Sequence, residues 1–113
     1  MLNGLKTADF GYVGENGVTE VCFDFSRWRA EFGDGDVRML LILPGGTSPV
    51  EVQTEIRGGV VVHTLTAEEL AVPGKCRVQV VYAANGHRAK SAIWDAYIQD
   101  SLEVMENESD DES

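Results

Sequence analysis

Asn85-Gly86 stands between two long runs, Lys75 to Ala84 and His87 to Ile98, in which apolar and polar residues alternate. Both residues accept positive φ at little steric cost, and such a pair between alternating runs is the strongest short signal for a two-residue β-hairpin. Side chains on a strand alternate between faces, so placing the turn also fixes the register of the strands beside it. With Asn85 and Gly86 as the loop, Tyr82 is expected opposite Ala89 and Val78 opposite Ile93. These share one face with Cys76, Val80, Ser91 and Asp95, and that face is expected to point into a core. The opposite face then carries Arg77 opposite Trp94, Gln79 opposite Ala92 and Val81 opposite Lys90.

Period two recurs through the rest of the chain. In Thr19 to Phe25 the apolar Val21, Phe23 and Phe25 share one parity while Glu20, Cys22 and Asp24 share the other, the pattern of a half-buried strand. Val37 to Leu43 is apolar on both parities, as expected of a central strand. Val50 to Ile56 reads as one strand with a wet face, joined through a tight Gly58-Gly59 turn to Val60 to Leu65. Two helical turns are expected. Ser26 is placed to cap one that runs through Trp28, Arg29 and Phe32 to a left-handed Gly33, with Trp28 and Phe32 plugging the end of the fold. Thr66 and Glu69 have the spacing of a capping box for the other, which Pro73-Gly74 ends.

No segment is long and helical enough to serve as the crossover of a parallel βαβ unit. The expected fold is therefore all-β: an immunoglobulin-like β-sandwich of about seven mostly antiparallel strands, with one or two short helical turns. At 113 residues the chain has the length of one domain.

Charge is unevenly spread. The formal net charge is −10, but seven acids and no base lie between Asp100 and Ser113, leaving the body near −3. We expect one domain over residues 1–102 and a disordered acidic tail over 103–113, because that stretch has little apolar surface to repay its ordering. No clustered excess of Lys and Arg favours nucleic acid. The longest aliphatic run, Met39 to Leu43, is too short for a membrane span, and Met1 to Phe10 lacks the pattern of a secretory signal, so synthesis in a cytoplasm is expected.

Catalytic chemistry finds little to work with. His63 and His87 have no potential metal ligand at the spacings a strand or helix would use, and a lone strand histidine is more often a tolerated surface or core residue. Gly33-Asp34-Gly35-Asp36 could offer oxygen ligands, but the glutamate that a calcium loop needs at its twelfth position is replaced by Gly45. No phosphate-binding glycine loop or nucleophile elbow is present. No catalytic residue, cofactor or metal is assigned. Cys22 and Cys76 fall on opposite parities relative to the core, so two free thiols are expected rather than an inter-sheet disulfide.

Two stretches carry a resemblance: Thr19-Glu-Val-Cys-Phe-Asp-Phe-Ser-Arg-Trp through Gly33, and Gly74-Lys-Cys-Arg-Val-Gln-Val-Val-Tyr through Lys90-Ser91-Ala92-Ile93-Trp94. With the Pro44-Gly45-Gly46 turn they resemble tail and baseplate proteins of tailed bacteriophages, in particular the N-terminal immunoglobulin-like domain of baseplate upper proteins. The likeness spans roughly Val18 to Leu102. It implies a structural protein of the virion, non-enzymatic, that binds other tail or baseplate proteins and is able to form homo-oligomers. Those relatives continue into stalk or receptor-binding segments, whereas this sequence runs into an acidic stretch.

Independently of the resemblance, Trp94, Arg77, Lys90 and Val81 are the candidate interface residues. An exposed tryptophan beside an arginine is a typical interface anchor. The alternative is that a second sheet or the N-terminal segment covers the Trp94 ring. A carbohydrate-binding or adhesion module on the same sandwich is the competing function, with Trp94 and Tyr97 its only aromatic platform, although the two have opposite parity.

Overall fold

The computed structural model describes Leu2 and residues 7–101. The acidic tail expected over 103–113 lies outside these residues, as does the end of the domain at 102. The described residues form an immunoglobulin-like sandwich of two sheets. Its strands are β1 (Thr7–Tyr12), β2 (Glu20–Asp24), β3 (Asp36–Ile42), β4 (Val50–Val52), β5 (Glu55–Arg57), β6 (Val60–Thr64), β7 (Gly74–Ala84), β8 (His87–Lys90) and β9 (Trp94–Gln99), with one helix, α1 (Ser26–Phe32), between β2 and β3. The larger sheet runs β1-β9-β7-β3-β4, with β8 also paired to β7, and the smaller runs β2-β6-β5. All pairings are antiparallel except β1 with β9.

The inner parities of the strands fill the space between the sheets. Val21, Phe23 and Phe25 from the smaller sheet meet Met39, Leu41, Cys76, Val78, Val80 and Tyr82 from the larger one, all buried. Trp28 and Phe32 close one end, as expected. Cys22 points away from the core and is half-buried while Cys76 is inside it, and both are free thiols. The Asn85-Gly86 turn forms with both residues at positive φ, 51° and 81°. Asn85 also turns its amide back onto the end of α1, donating from Nδ2 to the Phe32 carbonyl at 2.6 Å. Tyr82 donates its hydroxyl to the next carbonyl, that of Gly33. Gly35 must be glycine for a different reason: a Cβ there would overlap the Ala83 carbonyl oxygen on β7.

Four expectations need correction. Val50 to Ile56 is not one strand, because β4 pairs with β3 in the larger sheet and β5 with β6 in the smaller, so the chain changes sheets at Gln53-Thr54. Ser26 does not cap α1: the cap position is Phe25, and the Asp24 carboxylate accepts from Ser26 N at 2.9 Å and Ser26 Oγ at 2.6 Å instead. Gly33 has positive φ but extended ψ (90°, −178°) rather than the left-handed helical conformation, and β3 begins three residues later. Thr66 and Glu69 do make both bonds of a capping box, at 2.9 and 3.3 Å, yet they enclose a single turn rather than a helix.

The register after the hairpin also changes. Val81 pairs with Lys90 and Tyr82 with Ala89, as expected from the turn. Val78, however, pairs with Trp94 and not with Ile93, and Arg77 pairs with Asp95. One extra residue has entered the returning strand between Lys90 and Trp94, which separates β8 from β9 and reverses the parity of all that follows.

Candidate functional site

The parity change decides which side chains face outward. Ser91 holds the irregular segment: its N–H donates to the Val80 carbonyl at 2.9 Å, and its hydroxyl accepts from Val80 N at 2.8 Å while donating to the Ala92 carbonyl at 2.8 Å. The Gln79 amide donates to the Ser91 carbonyl at 3.0 Å. These bonds replace the ladder bonds that a regular strand would have made. Beyond them Trp94 points inward, and Ile93, expected in the core, becomes the exposed residue.

Trp94 is therefore corrected as an interface candidate. It is 6 % exposed, and its ring lies 5.5 Å from that of Phe23 across the sandwich. The alternative in which the opposite sheet covers the indole is the one observed. The Trp94 and Tyr97 platform does not form, since Tyr97 faces out while Trp94 faces in. Asp95, also expected inside, is half-exposed and pairs with Lys75 at 3.5 Å.

The other three candidates do share a face. Arg77, Val81 and Lys90 lie on the outer side of the larger sheet, where the outward parities of β3 (Arg38, Leu40, Ile42) and β7 (Arg77, Gln79, Val81, Ala83) run side by side. Leu40, Ile42, Pro49, Arg77, Gln79 and Ile93 line a shallow hollow of about 110 Å³. Next to it a second depression is bordered by Arg38, Val81, Arg88 and Lys90, with Asp36 and Glu51 at its rim. Arg38 approaches Glu51 at 4.0 Å. Among the described residues Arg77, Arg88 and Lys90 make no ion pair, as Arg27 on α1 makes none, whereas Arg29, Arg57 and, at the start of β7, Lys75 each do. The face is thus an apolar strip, with Ile93 58 % exposed, edged by cations.

His63 is the site-like feature that the sequence did not announce. It is buried on the core side of β6, with Nδ1 at 2.6 Å from the Gln53 carbonyl and Nε2 at 2.8 and 3.0 Å from the two oxygens of Glu69. The arrangement ties the sheet crossing at Gln53 and the capping-box turn to the smaller sheet. Glu69 lies six residues on, beyond the two- to four-residue spacings of a strand or helix. The ring is a satisfied core histidine, and no group of three or more metal-ligating side chains occurs among the described residues. Asp34 of the glycine loop pairs with Arg29 at 3.8 Å.

On the outer side of the smaller sheet, Arg57 spans Glu20 and Glu55, with contacts of 3.0 to 3.2 Å. Its guanidinium holds the Glu55 carboxyl below the usual range by hydrogen bonding and by charge. The Arg57 guanidinium is thus fully engaged within this cluster, unlike the cations of the opposite face. No described helix is long and apolar enough to cross a membrane. No family model matches this chain, and no curated protein matches it in sequence.

Proposed function

We propose that this chain is a non-enzymatic structural protein of a phage or prophage virion. It would be a tail or baseplate module made in the bacterial cytoplasm and built into the particle by protein–protein contact. The observation that carries this reading is the outer face of the larger sheet, where exposed Ile93 and half-buried Leu40, Ile42 and Val81 are bordered by Arg77, Arg88 and Lys90. Interfaces favour an apolar centre with arginine at its margin. The phage-tail resemblance of the segments containing β2–α1 and β7–β9 supplies the biological setting, and the second of these segments supplies most of the face. Its partners would be other tail or baseplate proteins, or further copies of the same chain.

The reading is tested by mass spectrometry of purified particles from the bacterium that carries the gene. Peptides of this chain in fixed ratio to tail proteins support it. Expression in the lysate with absence from particles overturns it.

A further inference from the structure

From the same face we infer a self-contact: residues 102–113 dock back, within one molecule, onto the outer face of the larger sheet. Three observations converge on this occupant. The first is charge. In a chain of net charge −10, three cations without ion pairs among the described residues collect on this one face, and residues 103–112 supply six acids and no base.

The second is reach. β9 ends beside the start of β7, with Ile98 opposite Gly74, and Ser101 is held there by donating its hydroxyl to the Val13 carbonyl at 2.9 Å. At about 3.3 Å per residue, a chain turning back from Ser101 needs roughly 20 Å to draw level with Arg77 and roughly 33 Å to reach Arg38 and Lys90. Twelve residues extend to about 40 Å.

The third is order. The segment carries Leu102, Val104 and Met105 around a single acid, Glu103, and the other five acids, Glu106, Glu108, Asp110, Asp111 and Glu112, follow them. From that end the face presents Ile42 beside Arg77, then Leu40, Gln79 and Ile93, and farther along Arg38 with Lys90. The five later carboxylates are thus carried level with Arg77 and on to Arg38 and Lys90. Tethering makes the contact intramolecular, at an effective concentration on the order of millimolar, so individually weak exposed ion pairs are enough to bias it. Where the face also serves as the assembly surface, which rests on the function proposed above, the segment has to be displaced before a partner binds. It would then act as a built-in competitor.

The test compares backbone amide NMR spectra of the full chain with those of a full-length variant carrying Glu106→Gln, Glu108→Gln, Asp110→Asn, Asp111→Asn and Glu112→Gln. Shift differences several times larger on β3, β7, β8 and Ile93 than on β2, β5 and β6, unchanged on tenfold dilution and reduced by added salt, are expected. A second variant, Arg77→Glu with Lys90→Glu, should move the resonances of residues 106–112. Differences confined to the segment itself, or spread evenly over both sheets, overturn the proposal. Differences that vanish on dilution overturn it too, because they place the contact between copies. The readout involves no particle, so its failure leaves the proposed function to its own experiment.

Discussion

The Ser91 hydroxyl stands 2.8 Å from the Val80 amide and takes the place of a strand carbonyl at the point where the returning strand gains a residue. Val80 is fully buried, so its N–H has no recourse to solvent. Ser91→Ala should therefore destabilise the domain by about 1–3 kcal/mol, the cost of an unsatisfied buried donor. Urea denaturation measures it, and an unchanged midpoint would show that the backbone bond from Ser91 N suffices alone.

The same irregularity makes opposite predictions for adjacent residues. Trp94→Ala removes a ring packed on Phe23 and should cost about 3–5 kcal/mol. Ile93→Ala should leave stability within about 0.5 kcal/mol, as an exposed position does. Thermal melts of the two variants distinguish this register from one in which Ile93 is inside, which would exchange the two results.

His63→Leu should be costly although it replaces a buried polar group with an apolar one. It leaves the Gln53 carbonyl and the Glu69 carboxylate without the ring that joins them, and a loss of about 2–3 kcal/mol is expected. Hydrogen exchange should show the loss first at residues 53–54 and 66–70, with β7 still protected. Uniform loss across the domain would mean that the histidine is not a local tie.

Burial pushes the Cys76 thiol up to about 11 from an ordinary 9.0. A thiol reagent at neutral pH should label half-buried Cys22 well before Cys76, which should react only on unfolding. Between about pH 9 and 11 the unfolded thiol loses a proton that the folded one keeps, so this group's contribution falls as pH rises. Comparison with Cys76→Ala isolates that slope, and equal slopes in the two proteins would contradict the buried assignment.

Local chemistry made much of the fold legible. Asn85-Gly86, Gly58-Gly59 and the alternation through Val21, Phe23 and Phe25 each specify their element with nearest neighbours alone. What escaped depends on contacts between distant segments. The alternation from Val50 to Ile56 continues unbroken while the chain passes from one sheet to the other, and what accompanies the crossing is a bond to His63. β1 has no clear alternation and is held by parallel pairing with β9, including a register shift at Gly11. The extra residue beyond Lys90 has no glycine or proline to mark it; only Ser91 is suited to satisfy a stranded amide. One unmarked residue was enough to move Trp94 from the candidate face into the core, while Arg77, Val81 and Lys90, on the hairpin side of it or across from it, stayed on that face.

We propose that the outer face of the larger sheet builds this chain into a particle. The most direct measurement is the ratio of this chain to a tail protein in purified particles, by quantitative mass spectrometry, for the natural sequence and for Arg77→Glu with Ile93→Asp, with both proteins confirmed as folded. A fixed ratio for the natural chain and loss of most of the variant is the expected result. Equal incorporation of the two, or absence of both from the particles, would contradict this role for the face.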